Sequence, residues 1–313
     1  MTDLHPSPRT PSAKAQNLPV DTEGLALRGG FALEGGRRAA VLGSPIAHSL
    51  SPVLHRAAYA QLGLDWTYEA IEVDSAGLAG FIAGCGPEWA GLSLTMPLKR
   101  AVLPLLDRAS ELVGVVGAAN TVVFGPDGLV GHNTDVVGII EALLGIGARP
   151  GPAMVLGAGA TAASALAALA GMGCPRVTVR ARRPGAATEL VGVAERLGLE
   201  LEISSWPDRL PSRDEAAIVV CTVPAAAAEG LVHAVPREPG CLLDVSYAPW
   251  PPALVAAWRA ARGVAVSGDE MLLHQAVAQV QLMTGMDPDV GAMRTALSAE
   301  LEWSRGAQGT GAS

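Results

Sequence analysis

The stretch Ala153-Met-Val-Leu-Gly-Ala-Gly-Ala-Thr-Ala162 decides the fold class of this chain, because it reads as a strand, a glycine turn and the start of a helix. In the pattern G-x-G-x-x-A, Gly157 makes the tight turn, Gly159 lets a pyrophosphate approach the backbone, and the small Ala162 lets the helix pack on the strand. A glycine pair alone is a weak signal, but a second buried strand follows in register at residues 177–181. The stretch therefore predicts a parallel sheet that binds a dinucleotide.

Beyond this turn, the chain completes an open, doubly wound sheet. Further buried strands are predicted at 218–222, 241–245 and 264–266. Where the strand after the glycine turn ends, a site for a cofactor without a 2′-phosphate would need Asp or Glu. Arg182 and Arg183 stand there instead, which favours the 2′-phosphate of NADP. The alternative is a pair of solvated arginines in a turn.

The first third of the chain predicts a second α/β unit. Strands and helices alternate there, and this order is typical of a parallel sheet. The strands are predicted at 39–43, 67–73 and 91–95, with helices at 51–62 and about 75–84. Residues 1–37 are rich in Pro, Ser, Gly and Arg and lack an apolar period, which predicts a mostly disordered tail.

Two serines stand at the start of the first helix of that unit. Ser51 is predicted to cap the helix with Pro52 behind it, and Ser49 lies two residues earlier. Hydroxyls beside the free N–H groups of a helix start are a natural site for a carboxylate. The alternative is that Ser51 only caps the helix and Ser49 only shapes the turn.

A lysine follows the third strand of the same unit, in the stretch Gly91-Leu-Ser-Leu-Thr-Met-Pro-Leu-Lys99. Pro97 fits the first position of a helix, and the apolar residues after it are predicted to continue that helix through Leu106. Lys99 then lies in the first turn, where the helix dipole disfavours a cation. This placement predicts a site where a substrate oxygen takes or gives a proton. The alternative is a surface lysine on an amphipathic helix.

Two further segments bring polar residues together. A turn at Pro126-Asp-Gly128 predicts two strands that fold back on each other and carry Asn120 and Asp135 into one neighbourhood. The alternative for Asp135 is a plain helix cap. Late in the chain, a long helix places Gln275 and Gln279 on one face, at positions four residues apart. The last helix is predicted to follow a cap at Asp287.

The overall composition limits the classes of function. The chain has 313 residues with a hydrophobic fraction of 50%, which suits two domains with separate cores. A net charge of −8 argues against a nucleic-acid partner. No apolar run reaches about 18 residues and no secretory signal is recognisable, so a cytoplasmic location without a membrane helix is expected. No metal site is predicted, and buried free thiols are predicted at Cys85, Cys174, Cys221 and Cys241.

Taken together, these pieces resemble the shikimate dehydrogenase family, and the resemblance covers residues 38–303. The pieces that carry it are Gly43-Ser-Pro-Ile-Ala-His-Ser-Leu-Ser-Pro52, Leu94-Thr-Met-Pro-Leu-Lys99, Gly117-Ala-Ala-Asn-Thr121, Asn133-Thr-Asp135, the Gly157 turn and Gly268-Asp-Glu-Met-Leu-Leu-His-Gln-Ala276. The resemblance implies an α/β protein of two domains with the active site in the cleft between them. A parallel-sheet substrate-binding domain would comprise residues 38–135 and 268–305, and a doubly wound Rossmann NADP-binding domain would comprise residues 136–267.

The resemblance also implies roles for individual residues. The substrate carboxylate would bind Ser49 and Ser51, and Lys99 and Asp135 would form the catalytic pair. The ring hydroxyls and the reacting oxygen would be held by Thr95, Lys99, Asn120, Asp135, Tyr247 and Gln275. Contacts to NADP would come from Glu111, Gly157, Ala158, Gly159, Ala160, Thr161, Arg182, Arg183, Thr222, Val245 and Gly268.

Three stretches depart from the family pattern. Ser93-Leu94-Thr95 stands where the family usually has Asn-Val-Thr. Ala181-Arg182-Arg183 stands where it has Asn-Arg-Thr, which changes the side chains that would recognise a phosphate. After Tyr247, Ala248-Pro-Trp-Pro-Pro252 replaces the usual continuation, so this loop is expected to differ.

The implied activity is the reversible NADP-dependent reduction of 3-dehydroshikimate to shikimate, a step of chorismate and aromatic amino-acid biosynthesis. Lys99 would donate the proton to the developing alkoxide, and Asp135 would keep Lys99 oriented. The alternatives are a quinate/shikimate or aminoshikimate dehydrogenase, or a non-catalytic regulator that binds NADP or shikimate. The expected partner is the small-molecule substrate, with no nucleic acid and no membrane, in a monomer or homodimer.

Overall fold

The computed structural model describes residues 36–126 and 128–310, with side chains as far as residue 305. Most of the predicted tail at 1–37 lies outside the described residues. The strands are β1 (Arg38–Gly43), β2 (Thr67–Glu72), β3 (Trp89–Leu94), β4 (Arg108–Ala109), β5 (Thr121–Gly125), β6 (Gly128–His132), β7 (Ala153–Leu156), β8 (Arg176–Ala181), β9 (Glu200–Ser205), β10 (Ile218–Cys221), β11 (Cys241–Asp244) and β12 (Val264–Ser267). The helices are α1 (Ser51–Gln61), α2 (Leu78–Ala83), α3 (Leu98–Ala101), α4 (Glu111–Val116), α5 (Asp135–Gly145), α6 (Ala160–Gly171), α7 (Thr188–Leu197), α8 (Ala225–Glu229), α9 (Ala253–Ala260), α10 (Gly268–Thr284) and α11 (Val290–Thr310).

The first sheet is mixed and has the strand order β2-β1-β3-β5-β6-β4. β1 runs parallel to β2 and β3, as the alternation of strands and helices predicts. β5 runs antiparallel to both β3 and β6, so the predicted hairpin is confirmed. β3 is buried along its whole length. The strand therefore crosses the core and ends just before the half-buried Thr95 and the exposed Met96.

The second sheet is entirely parallel, in the order β12-β11-β10-β7-β8-β9, and confirms the doubly wound prediction. Helix α6 is buried from Ala162 to Ala170, because its small side chains let it lie close to the sheet. β9 and the preceding helix α7 are not predicted from the sequence. β9 is an edge strand in which Glu200 and Glu202 alternate with the half-buried Leu201 and Ile203, so its apolar signal is weak.

The last two helices return to the first sheet. α10 packs against β3 and β5, and α11 packs against α1. α10 also lies along α5, and a Cβ atom at Gly138 of α5 would lie 2.7 Å from the carbonyl oxygen of Met271. Only glycine allows the two helices to come this close.

The helix that carries Lys99 is shorter than predicted. α3 ends at Ala101, and a separate 3₁₀ turn covers Leu103–Leu105. Pro104 explains the break, because proline has no N–H to donate and its ring collides with the carbonyl group four residues earlier. The prediction of one continuous helix through Leu106 is therefore wrong. Lys99 nevertheless lies in the first turn of α3, as predicted.

Two predicted helix caps are also wrong. Leu50 is the N-cap of α1, since its carbonyl oxygen accepts from the N–H of Val53, and Ser51 is the first helical residue. In the last helix the cap is Asp289, whose Oδ1 atom accepts from the N–H groups of Gly291 and Ala292. Asp287 instead accepts from Gln281. The two predictions misplaced the helix start by one and by two residues. Asp287 and Asp289 have the same capping propensity, whereas at α1 the N-cap is Leu50 although Ser51 has the higher propensity.

Candidate active site

One cavity of about 480 Å³ lies between the two sheets. Its walls come from segments that follow β1, β3, β11 and β12, together with the faces of α5 and α10. All the residues predicted to bind the substrate line this cavity: Ser49, Ser51, Thr95, Lys99, Asn120, Asp135, Tyr247 and Gln275. Residues more than two hundred positions apart in the sequence therefore meet in one space.

An ion pair lies in the wall of the cavity. Nζ of Lys99 is 2.5 Å from Oδ2 of Asp135, and the two side chains are only 13% and 4% exposed. The N-cap of α5 is Thr134, so Asp135 is not the plain helix cap of the alternative interpretation. An amine held against a carboxylate and largely shielded from water is suited to exchange a proton with a ligand oxygen.

Asn120 fixes the orientation of Asp135. Its amide nitrogen donates to Oδ1 of Asp135 at 2.9 Å, and its amide oxygen accepts from the backbone N–H of Thr134 at 2.7 Å. Because a backbone N–H can only donate, the oxygen of Asn120 must face Thr134 and the nitrogen must face Asp135. The predicted neighbourhood of Asn120 and Asp135 is confirmed.

The serine pair lies at the start of α1. The backbone N–H of Ser51 donates to Oγ of Ser49 at 3.4 Å, which orders the turn between them. Ser51 is buried, and its hydroxyl is a hydrogen-bond partner of the Tyr68 hydroxyl. Burial raises the pKa of Tyr68, so this phenol stays protonated and neutral. The wall around the serines thus offers hydroxyl groups and no anion, which suits a ligand carboxylate.

Tyr247 and Gln275 complete the wall from two different elements. Tyr247 follows β11, and burial raises its pKa against the opposing effect of a hydrogen bond to the Leu50 backbone. Gln275 lies on α10, where its amide oxygen accepts from Asn120 at 3.2 Å. Gln275 is buried rather than exposed. Thr95, directly after β3, packs its methyl group against Gly43.

The glycine turn after β7 has the geometry of a cradle for a large ligand. Gly157 has a φ of +119°, and a Cβ atom there would lie 2.4 Å from Oγ1 of Thr222. Gly268 is equally confined, because a Cβ atom would lie 2.0 Å from the carbonyl oxygen of Val245. Gly159 is the N-cap of α6, and no atom lies within 4 Å of its Cβ position. The start of α6 is therefore open to a phosphate group.

The other residues predicted to contact NADP lie mostly at one edge of the second sheet. Arg182 and Arg183 follow β8, and both are exposed. Thr222 follows β10, and its hydroxyl donates to the carbonyl oxygen of Leu156 at 2.8 Å. Thr161, Val245 and Gly268 line the cavity, and Ala158 and Ala160 flank Gly159 in the turn. Glu111 lies apart from this edge, in the first turn of α4, and does not line the cavity.

Several residues line the cavity without a role assigned from the sequence, among them Ser93, Met271 and Gln279. The position of Gln279 four residues after Gln275 was a usable signal, because such residues share a helix face. In the sequence, Ser93 is marked only as a departure from the family pattern, which assigns it no role. Its hydroxyl becomes significant only because β3, β2 and α10 meet around it.

Within residues 36–126 and 128–310, no group of His, Cys, Asp and Glu side chains has an arrangement that could hold a metal ion. All four predicted thiols are free, and Cys174 and Cys221 are buried as expected, whereas Cys85 and Cys241 are only half-buried. Burial raises the pKa of the Cys221 thiol well above its ordinary value, so this thiol stays protonated. No helix in the described part of the chain is both long enough and apolar enough to cross a bilayer.

Comparison with protein families gives two matches. Residues 41–122 match a family model described as the shikimate dehydrogenase substrate binding domain. Residues 268–297 match one described as the shikimate 5′-dehydrogenase C-terminal domain. The chain is also 38% identical over 274 residues to the shikimate dehydrogenase (NADP(+)) of Rubrobacter xylanophilus, an alignment that covers 83% of this chain and 95% of that protein.

Solved structures with the same architecture include the shikimate dehydrogenase of Mycobacterium tuberculosis. It is 43% identical to this chain, with a TM-score of 0.77 over 84% of this chain and 99% of that one. The shikimate 5-dehydrogenase of Thermus thermophilus, solved in complex with NADP(H) and shikimate, is 33% identical with a TM-score of 0.71. That alignment covers 84% of this chain and 99% of the other.

Proposed function

The chain belongs to the shikimate dehydrogenase family, and we propose that it catalyses the reversible NADP-dependent reduction of 3-dehydroshikimate to shikimate. The observation that carries the proposal is the ion pair of Lys99 and Asp135, 2.5 Å apart in a cavity that also holds the hydroxyls of Ser49 and Ser51. One cavity thus offers a proton-transfer pair and a site for a carboxylate. The names of the similar proteins and the complex of the Thermus thermophilus enzyme support the same choice of substrate and cofactor.

The first sheet with α10 and α11 is proposed as the substrate-binding half, comprising residues 38–135 and 268–305. The second sheet, within residues 136–267, is proposed as the NADP-binding half. The packing of α10 against β3 and β5 supports this division, because it attaches the end of the chain to the first sheet. The cavity then lies where the two halves meet.

The glycine cradle fits a dinucleotide. The confinement at Gly157 and Gly268 leaves room for no side chain, and the open start of α6 supplies backbone N–H groups for a pyrophosphate. Arg182 and Arg183 would hold the 2′-phosphate. When bound, NADP supplies hydride transfer to or from the ring carbon. Thr161, Thr222, Val245 and Gly268 are proposed to position the cofactor, with Glu111 as an outlying candidate.

The protein's own residues would orient the substrate and move one proton. Ser49 and Ser51 bind the carboxylate, which sets the direction of the ring in the cavity. Lys99 gives its proton to the oxygen of the carbonyl group as that oxygen becomes an alkoxide, and takes it back in the reverse reaction. Asp135 stabilises the ammonium form and holds Nζ in place. The ring hydroxyls would bind Thr95, Asn120, Tyr247 and Gln275, whose polar groups line the same wall.

The proposal is tested by four assays side by side, with shikimate or quinate as the substrate and NADP or NAD as the oxidant. NADPH formation with shikimate well above the other three rates supports the proposal. Comparable rates with quinate and NAD would instead indicate a quinate/shikimate dehydrogenase. No absorbance change with any pair, despite binding of shikimate, would indicate a non-catalytic binding protein, although a proton-transfer pair has no use in such a protein.

The cellular location and the oligomeric state of the enzyme are also proposed. The free thiols support a cytoplasmic enzyme. A monomer or a homodimer is expected, with the small-molecule substrate as the partner of the site. Light scattering after size-exclusion chromatography distinguishes the two oligomeric states.

A further inference from the structure

Gln279 lies in the wall of the cavity, where several buried polar groups meet. It is 1% exposed, and it hydrogen-bonds to side chains from three elements besides its own helix. Its amide oxygen lies 2.9 Å from Oγ of Ser93 on β3 and 3.2 Å from Nε2 of His55 on α1. Its amide nitrogen lies 3.1 Å from Oγ1 of Thr121 and 3.4 Å from the carbonyl oxygen of Asn120.

The chemistry of these neighbours determines which way each hydrogen bond points. The carbonyl oxygen of Asn120 can only accept, so the NH₂ group of Gln279 must face it and the amide oxygen must face Ser93 and His55. Burial lowers the pKa of His55 to about 3, so the ring is neutral and carries one N–H. That N–H must be on Nε2, because the Gln279 oxygen cannot donate. Nδ1 then accepts from the Tyr59 hydroxyl at 3.4 Å.

The same reasoning orients the hydroxyl groups on either side of Gln279. The Tyr68 hydroxyl donates to Ser93 at 2.6 Å, and Ser93 in turn donates to the oxygen of Gln279. On the other side, Thr121 accepts from Gln279 and uses its own proton to donate to Oδ1 of Asn120 at 3.0 Å. Asn120 then donates to Asp135.

The result is a buried chain of hydrogen bonds with one direction, from Tyr68 through Ser93, Gln279, Thr121 and Asn120 to the carboxylate of Asp135. Each donor in the chain is polarised by the one before it, so the last donor presents a more positive hydrogen to the carboxylate. All of its members are less than 4% exposed: Tyr68, Ser93, Gln279, Thr121, Asn120 and Asp135.

We propose that Gln279 is a positioning residue for the reaction, which acts through Thr121 and Asn120 to hold Asp135, and hence Lys99, in the geometry for proton transfer. This inference rests on the proposed function. Gln279 accepts from the upstream hydroxyl of Ser93 and donates downstream to Thr121 through a rigid amide, so its removal disconnects the two parts of the chain. The hydroxyl oxygen of Thr121 and the backbone carbonyl oxygen of Asn120 then each lose the donor that Gln279 supplies.

The test is the variant Gln279→Leu, which keeps the approximate volume and removes every hydrogen bond of the side chain. We expect kcat for shikimate oxidation to fall about tenfold, on the scale of one buried hydrogen bond, with KM for shikimate and for NADP within about twofold of wild type. The matched control is Gln281→Leu on the same helix, where the side chain reaches only the exposed Asp287. This control should keep wild-type kcat.

A second variant pair tests the next link in case Gln279→Leu does not fold. Thr121→Val removes the hydroxyl that relays the chain and should lower kcat to a similar extent, whereas Thr121→Ser keeps the hydroxyl and should restore most of it. The decisive comparison combines Gln279→Leu or Thr121→Val with Lys99→Ala. Because Gln279 acts through the ion pair, the double variant should be no slower than Lys99→Ala alone, whereas a general distortion of the cavity would slow it further.

The outcomes separate this inference from the proposed function. A wild-type protein that does not oxidise shikimate overturns the function and the inference with it. If the wild-type protein is active, two results would overturn the inference alone. Gln279→Leu and Thr121→Val could keep wild-type kcat, or they could lower kcat by the same factor in the Lys99→Ala background. A selective loss of kcat that disappears in the Lys99→Ala background supports it.

Discussion

Lys99→Ala removes the ammonium group from the ion pair while leaving the carboxylate of Asp135 hydrogen-bonded to Asn120. We expect kcat to fall roughly 10²–10⁴-fold, the usual effect of a positioned general acid, with a smaller change in substrate KM. Steady-state rates with shikimate and NADP measure the effect. The neighbouring variant Arg100→Ala, whose side chain pairs with Glu189 outside the cavity, is the control. A wild-type kcat in Lys99→Ala would exclude Lys99 as the proton carrier.

Ser49→Ala and Ser51→Ala should raise the KM for shikimate more than they lower kcat. The reason is that a carboxylate is bound equally well in the ground state and the transition state. No loss of a helix cap is expected at Ser51, since Leu50 occupies the N-cap position. Ser44→Ala is the control in the same loop, because its hydroxyl donates to Glu72 outside the cavity. Unchanged shikimate affinity in both variants would mean that the carboxylate binds elsewhere.

The two arginines after β8 are predicted to determine the choice between NADP and NAD. Replacing both Arg182 and Arg183 by Ala should weaken NADP use by about 2–4 kcal/mol, on the scale of charge-assisted hydrogen bonds, and leave NAD use nearly unchanged. The first acidic residue after this pair in the sequence is Glu189, whose carboxylate is paired with Arg100. Values of kcat/KM for both cofactors measure the effect, with Arg176→Ala at the far end of β8 as the control. An equal loss of kcat/KM with both cofactors would mean that the two arginines are solvated turn residues that do not recognise the 2′-phosphate.

At the scale of the element, the glycine turn joins β7 to α6, and its backbone conformation fixes how the helix starts after the strand. Gly157→Ala would put a Cβ atom 2.4 Å from Thr222 at a φ of +119°, which an L-residue rarely adopts. We expect a destabilisation of about 1–3 kcal/mol and a larger loss of NADP affinity. Thermal unfolding and NADPH fluorescence titration measure the two effects.

Gly80→Ala in α2 is the matched control for Gly157→Ala, since no atom lies within 4 Å of its Cβ position. This substitution in a helix interior should be neutral or slightly stabilising, because alanine has the higher helix propensity. If Gly157→Ala instead binds NADPH like wild type, the turn does not hold the pyrophosphate.

For the whole molecule, the contact of α5 with α10 joins the two sheets and shapes the cavity between them. Gly138→Ala would force a Cβ atom to within 2.7 Å of the Met271 carbonyl oxygen and 3.0 Å of Gln275 Cβ. We expect a loss of stability of about 1–3 kcal/mol and a raised KM for shikimate, since Met271 and Gln275 line the cavity. Calorimetry and steady-state kinetics test the two effects.

The control for Gly138→Ala is Gly145→Ala at the end of the same helix, where no atom lies within 4 Å of the new Cβ. It should leave both stability and KM close to wild type. A destabilised Gly138→Ala enzyme with unchanged KM would show that the helix contact supports the fold without shaping the site.

The sequence by itself determined the local structures, which depend on residues that are neighbours along the chain. The glycine turn, the apolar strands around it and the pair Arg182-Arg183 are local patterns whose conformations follow from residue type and spacing. The same holds for the hairpin that joins Asn120 to Asp135, since a tight turn brings its two strands together. Helix ends were less predictable. Asp287 and Asp289 have the same capping propensity, and Leu50 is the N-cap of α1 although Ser51 has the higher propensity.

Only the tertiary structure determined which polar residues, far apart in the sequence, form hydrogen bonds with one another. Gln279 meets His55 across 224 positions and Ser93 across 186, and no local pattern encodes a partner at such a separation. The distance between Lys99 and Asp135 is likewise set by the packing of β3 against β5 and of α5 against α10. Burial makes these hydrogen bonds necessary for stability, because a polar group removed from water must find its hydrogen-bond partner inside the protein.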